Sequence, residues 1–537
     1  MFGLISTIET SSEGTHESEA SRGLMREWRW WLAPALLSLI LALLYLDPFI
    51  GDWDALDYTI LSVRGAPSSM ALGRSLFIFT NYAIWRAGHA LFGLQAEDAY
   101  LLFKGAVVMM SVAGSVACWA LAREATGSER AATVAALLVA LSPSYIVYSG
   151  QVMTEIPSLA LLAASATVYL RGVRTRRLWL MLFGAALLGA DVNMRETVGF
   201  YGVWLVAAPL ACGWKIGRKE VTAVALASLV FLLFALVPFA LWYWTDAGSF
   251  RASWHGWRET MRDEAARHPV ELANALPFLL FFFMTSPPVF LSLPFAFLKE
   301  WRERRFSPQL ALGAVGLFST LLLFLNYSTT VNWRYFLTGL PALAPLAASF
   351  FISMAERRTR HRGRAFLFVL VCLALTVPFT LFSLHSLRKG FVEKHAMMKS
   401  YRERLVLLPK DGVVIAGGQT VGVTYWRGVG LGQWDTIGTG AGWPGRERLP
   451  RLIETYLKEG RRVFLDTDTR LWAPCGWQVE ETREIVKLEK LFRFRRVSDT
   501  IFEIRPVDDQ SAKDSPQLEK LLPENRVAEM KDCGPTR

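Results

Sequence analysis

The sequence predicts a polytopic α-helical membrane protein with about eleven transmembrane helices and a small C-terminal α/β domain beyond the far face of the bilayer. Apolar residues make up 52% of the 537 positions, and the mean hydropathy is +0.28. They gather in blocks of roughly 16 to 25 residues, long enough to cross a hydrocarbon core of about 30 Å. Short Arg-rich clusters occupy alternate loops between these blocks, and after residue 385 the composition becomes that of a water-soluble domain.

Residues 1–29 begin the chain as a polar, Ser- and Glu-rich cytoplasmic segment expected to be disordered. Arg22, Arg26 and Arg29 precede a long apolar run that lacks a small-residue cleavage site and reads as a signal anchor. Spans are expected at 31–47, 98–122, 131–148, 156–170, 178–191, 196–213, 221–244, 276–298, 309–326, 335–354 and 365–385. The basic clusters at 22–29, 123–130, 171–177, 215–219, 299–305 and 357–364 all fall on one side of that arrangement. The positive-inside rule makes that side cytoplasmic. An odd number of spans then puts the C-terminus in the periplasmic or extracellular space, with the chain in the cell inner (plasma) membrane. The membrane domain is 30–385, with a long outer loop at 48–97.

Within that loop, RSLFIFTNYAIWRAGHALFG (74–93) is apolar enough to resemble a span. Counting it as one would invert every later loop and put the Arg clusters outside. Arg74, Arg86, His89 and a helical apolar period instead predict an amphipathic helix on the outer membrane surface.

The periplasmic α/β domain is expected over 386–507. VVIAGG (413–418) and RRVFLDTD (461–468) read as buried strands. RERLPRLIETYLKEG (446–460) reads as an amphipathic helix stopped by Gly460, and FRFRRVS and TIFEIRP as a final strand pair. Alternating strands and helices suggest a small layered domain. The charged tail at 508–537 reads as disordered.

A net charge of +11 raises the question of nucleic acid. The excess lies in the loops between apolar blocks, so the expected partners are membrane lipids and not nucleic acid. The five cysteines show neither metal-ligand spacing nor a disulfide framework.

Polar residues with chemical potential cluster at the outer ends of spans. The first outer loop, DPFIGDWDALDYTILSVRGAP (47–67), carries Asp52, Asp54 and Asp57. Carboxylates there suit a general base or a divalent cation, and a solvated acidic loop is the bland alternative. Glu155 lies in YSGQVMTEIPS, Asp191 and Arg195 in GADVNMRETVGF, and Arg334 and Tyr335 in NWRYFLTGLPALAP. Arginine at the outer interface runs against the topological bias. Arg195 and Arg334 are therefore candidates for bidentate phosphate binding, against the alternative of snorkelling to headgroups. His255 lies in an outer loop at 245–275, too far from His268 for a metal motif. Asp466-Thr467-Asp468 is read as a strand end entering a turn.

Taken in order, these features resemble the GT-C superfamily of membrane glycosyltransferases, which use polyprenyl-phosphate sugars. Protein mannosyltransferases and the bacterial aminoarabinose transferase type are examples. The resemblance covers roughly residues 30–385 and rests on four stretches. Asp54 followed by Tyr58 and Arg64-Gly65 fits the first outer loop. LFG at 91–93 closes an amphipathic segment, LAR at 121–123 ends a span, and RYFLTGLP at 334–341 opens a late one. Many members carry two adjacent acids in the first loop. Here Ala55 follows Asp54, so the second acid is Asp52 or Asp57, or is absent, and the assignment of the base stays open between Asp54 and Asp52.

The resemblance implies transfer of a hexosyl or pentosyl group from a polyprenyl-phosphate donor to an extracytoplasmic acceptor, by single displacement. Asp54 (or Asp52) would be the base and Arg195 and Arg334 the donor-phosphate ligands. Tyr58, Glu155, Tyr335 and His255 would line the substrate, and a divalent metal ion would sit between Asp54 and Glu155. The competing reading is a transporter or flippase of lipid-linked substrates. Substrate sites near the midplane and paired broken helices would favour it.

Overall fold

The computed structural model describes residues 30–46, 53–66, 74–215, 217–267, 275–303, 306–326, 333–356, 362–416, 420–437, 448–468 and 485–507. The expected segments 1–29 and 508–537 lie outside them, as does Asp52. The membrane-domain helices are α1 (Trp30–Leu44), α2 (Trp53–Arg64), α3 (Ser75–Phe92), α4 (Ala99–Thr126), α5 (Glu129–Ala140), α6 (Pro143–Tyr148), α7 (Glu155–Thr175) and α8 (Leu178–Val192). They continue as α9 (Trp204–Ala211), α10 (Arg218–Thr245), α11 (Ala247–Arg267), α12 (Ala275–Thr285), α13 (Pro287–Arg302), α14 (Pro308–Asn326), α15 (Leu340–Glu356) and α16 (Arg362–Leu405).

Among the described residues, five helices are long and apolar enough to cross a bilayer, or six if α12 and α13 are one bent span. The shorter apolar helices α1 and α8, and the segment Glu196–Ala211, add to them in a multi-pass membrane protein. The expected spans are helical, but several are not continuous. The segment 131–148 is divided at Ser142-Pro143: Ser142 caps α6 by accepting from the Tyr145 amide, and Pro143 opens the new helix without an N–H to satisfy. The segment 276–298 turns through 104° at Ser286, whose following prolines disfavour helical backbone. The segment 196–213 starts as a 3-10 helix, Glu196–Val203, before α9. Segment 74–93 forms α3, which is not among the helices apolar enough to span.

Helices α4, α7, α8 and α10 pack side by side around the main apolar core. Without a hydrophobic driving force in lipid, close packing has to hold them, and small residues allow it. A Cβ on Gly184 of α8 would come within 2.6 Å of the Tyr169 amide nitrogen of α7. A second core of phenylalanines joins α12, α13 and α15.

Helix α16 passes the expected boundary at 385 without a break and ends at Leu405. At about 1.5 Å per residue it is roughly 66 Å long, about twice the hydrocarbon thickness. The chain then forms β1 (Val413–Ile415), α17 (Thr420–Gly428), β2 (Asp435–Ile437), α18 (Arg448–Lys458), β3 (Val463–Asp466), β4 (Arg493–Arg496) and β5 (Ile501–Arg505). The sheet order is β2-β1-β3-β5-β4. Strand β1 is parallel to β2 and β3, and β5 is antiparallel to β3 and β4. Asp466 and Asp468 receive Arg404 of α16 at 3.2 and 3.0 Å, so this acidic pair fastens the long helix to the sheet.

Candidate active site

Four residues singled out from sequence meet in one cluster, and each sits where a helix begins or loses its α-helical form. Asp54 lies in the first turn of α2, and Glu155 opens α7. Arg195 has extended backbone (φ −155°) just before the 3-10 helix that follows α8, and its amide donates to the Asp191 carbonyl. Arg334 lies in a second 3-10 helix, Trp333–Gly339, ahead of α15. Irregular backbone at membrane depth is tolerated where protein surrounds it or it lines a cavity. The two 3-10 segments brace each other, because the Tyr201 hydroxyl donates to the Thr338 carbonyl at 2.9 Å.

The charges form a continuous chain. Arg195 Nη1 donates to Glu155 Oε1 at 2.6 Å, and both side chains are only 2% exposed. Arg334 Nε lies 3.3 Å from the same Glu155 oxygen, and its Nη2 donates to Asp54 Oδ2 at 2.8 Å. Exposure rises outward along this chain: Arg334 is 9% exposed and Asp54 35%. Tyr335 lies beside both cations, with the Arg195 and Arg334 guanidinium carbons 5.1 and 5.5 Å from its ring centre. Thr197 accepts from Arg195 Nε at 3.2 Å.

Tyr58 is buried one turn after Asp54 on α2, and its hydroxyl has no hydrogen-bond partner among the described residues. Above its ring, at 5.3 Å, lies the guanidinium of Arg74, which also reaches Glu196 at 3.8 Å. Arg74 is a third cation of the site that sequence reasoning did not single out. Asp57 is its acidic counterpart. Burial pushes the Asp57 carboxyl up to about 6, the Asp54 charge adds to this, and Arg74 opposes it.

His255 does not join the cluster. It lies on the exposed helix α11, and its ring pairs with Glu259 one turn later at 3.4 Å. A solvated i,i+4 pair accounts for it without a substrate. The residues proposed as a metal pair, Asp54 and Glu155, are brought together through the guanidinium of Arg334 lying against both. No group of three or more His, Cys, Asp or Glu placed to hold a metal occurs among the described residues. A cavity of about 350 Å³ between α4, α16 and α17 is lined by Tyr100, Lys399, Arg402 and Trp426, none of which belongs to the cluster.

The bundle of apolar helices shares its fold with solved membrane proteins of low sequence identity. Residues 79–244 match the family model described as Dolichyl-phosphate-mannose-protein mannosyltransferase. The chain is similar to the structure of ArnT from Cupriavidus metallidurans bound to undecaprenyl phosphate, with 15% identity and a TM-score of 0.58 over 90% of this chain and 99% of that one. It is also similar to the Archaeoglobus fulgidus oligosaccharyltransferase, solved in complex with Zn and sulfate. There the identity is 15% and the TM-score 0.54, over 92% of this chain and 76% of that one. No curated protein sequence matches the chain.

Proposed function

We propose that the protein transfers a sugar from a polyprenyl-phosphate donor to an acceptor hydroxyl outside the cytoplasm, in one displacement with Asp54 as general base. The observation that carries this reading is the ion-pair chain Asp54–Arg334–Glu155–Arg195, running from a partly exposed carboxylate to a fully buried guanidinium. Charged groups buried among apolar helices are costly, which makes such a cluster a candidate functional site. The undecaprenyl phosphate bound by ArnT supports a lipid phosphate as the leaving group.

In the proposed reaction the acceptor oxygen attacks the anomeric carbon, the bond from that carbon to the phosphate oxygen breaks, and the acceptor proton passes to Asp54. The lipid phosphate gains negative charge as it leaves, which Arg334 and Arg195 stabilise. Arg334 has a double part in this scheme, because the arriving phosphate competes with Asp54 for its guanidinium. Handing Arg334 to the phosphate takes a cation away from Asp54 and raises its basicity when the proton must be accepted. Tyr58 O–H and Glu155 Oε2, both buried without hydrogen-bond partners among the described residues, are groups a bound substrate would satisfy.

A resident divalent cation fits this donor set poorly. Arg334 already lies against both carboxylates, so a metal between them would face a fixed positive charge. The same reading sets the chain in the inner (plasma) membrane, with its N-terminus cytoplasmic and the cluster facing the periplasm.

Asp54→Asn tests the base. Transfer by the purified, reconstituted protein should fall about 10² to 10⁴-fold, the usual worth of general-base help, while binding of the lipid-linked donor persists. Full transfer by this variant would remove Asp54 from the role and move the test to Asp52. Movement of intact lipid-linked sugar across vesicles, with no cleavage of its phosphate bond, would replace the enzyme by a flippase.

A further inference from the structure

Helix α2 is held from two sides. Its 100° per residue, that of any α-helix, sets Asp54 and Tyr58 roughly 40° apart and both roughly 160° from Leu56. Leu56 and Ile60, one turn apart on the opposite face, are fully buried in the apolar core of the C-terminal unit. There they join Met398 and Tyr401 of α16 and Trp426 of α17. Ala55 and Tyr58 of the same helix belong to the core of the membrane domain. One short helix therefore contributes to both hydrophobic cores, and it carries the candidate base.

The contact with α17 leaves little slack. A Cβ on Gly428, the last residue of α17, would lie 3.0 and 3.1 Å from Ile60 Cγ1 and Cγ2 and closer still to Cδ1. Packed interiors respond to a single methylene, so this contact leaves α2 little room to move toward α17. Arg334 meets Asp54 on the other side at 2.8 Å, a length with equally little tolerance.

We infer that the C-terminal unit is a positioning element for the reaction: through Gly428 and Ile60 it sets the distance between the Asp54 carboxylate and Arg334. Ile60 and Gly428 touch no reacting atom and act through α2. A bound geometry lost by about 1 Å can cost about 10²-fold in rate, so the loss belongs in kcat, while donor KM stays or falls because the phosphate meets less competition for Arg334. Displacing α2 also draws Asp54 away from a cation, which raises its pKa and moves the acid limb of the rate profile to higher pH. The inference rests on Asp54 being the base.

The test uses the full-length protein in three forms, Ile60→Ala, Gly428→Val and the double variant. Each single variant should lower kcat at least tenfold, leave donor KM unchanged or lower it, and shift the acid limb upward. The double variant, in which the added volume fills the space vacated, should recover most of the loss. Where Gly428→Val does not fold, Ile60→Ala against Ile60→Val decides alone, with the smaller change giving the smaller loss of kcat. Unchanged kcat and acid limb in folded Ile60→Ala would overturn the inference. That result, together with inactivity of Asp54→Asn, would sink the positioning role and spare the base. Full activity of Asp54→Asn would instead sink the reading beneath it.

Discussion

Arg334 Nη2 lies 2.8 Å from Asp54 Oδ2, although 280 positions separate the two residues in the chain. The pair joins the first outer helix to the segment ahead of α15, and Glu155 shares the same guanidinium at 3.3 Å. A planar fork of donors can lie against two carboxylates at once, which a single ammonium does poorly.

Arg334→Lys follows from that geometry. The charge is kept and the fork is lost, so donor KM should rise and kcat fall, together lowering kcat/KM by about 10 to 100-fold, the scale of one or two charge-assisted hydrogen bonds. Steady-state kinetics with a saturable lipid-phosphate sugar measure both. Wild-type kinetics in the lysine variant would show that the bridge has no part in turnover.

Asp57 makes the pH behaviour specific. Burial and then Asp54 raise its carboxyl to about 6, with Arg74 opposing. Between the ordinary 3.8 and about 6 the folded state holds more protons than the unfolded one, so stability declines as pH rises through that window and stays lowered above it. Asp57→Asn should therefore be the more stable protein above pH 6, by on the order of 1 to 2 kcal/mol after solvent screening, and the difference should vanish below the ordinary carboxylate range. Thermal unfolding at about pH 3 and pH 8 reads this, one below the ordinary ionisation and one above the raised one.

Chelation is the third expectation. With Arg334 and Arg195 supplying the positive charge, transfer should survive exhaustive EDTA treatment with less than a twofold change. Loss of activity on chelation and recovery with added Zn or Mg would return a cation to the site, with Asp52 as the obvious further ligand.

Topology is tested by reporter fusions. A reporter active only in the periplasm should work when joined after Ser386 and be silent after Arg176. The opposite pattern would reverse the orientation and put the cluster on the cytoplasmic face.

Much of the candidate cluster was legible in the sequence because charge stands out in apolar surroundings. Glu155, Arg195 and Arg334 each interrupt long hydrophobic blocks, and burying them there has to be compensated. From sequence alone Arg74 belongs to an amphipathic surface segment and not to a site, because an arginine there reads as a headgroup contact. Only the fold shows it over the Tyr58 ring at 5.3 Å. The breaks at Pro143 and Pro287 are local signals that hydropathy, averaged over a span, smooths away. The reach of α16 to Leu405 was hidden for a related reason: hydropathy ends near residue 385, but helical backbone does not. Strand β2 and helix α17 are short, and tertiary packing decides such elements more than local pattern does.

The unbroken course of α16 gives the C-terminal unit a rotational phase. A domain on a flexible tether ignores small changes in linker length, whereas one rooted in a continuous helix turns by about 100° for each residue added. One alanine inserted near Ser386 would swing the face that meets α2 well away from it. Seven would bring it back to within roughly 20° of register while lifting it by about 10 Å. The length of this helix is thus under a periodic constraint as well as a linear one, and only insertions or deletions that respect both would leave Ile60 facing Gly428.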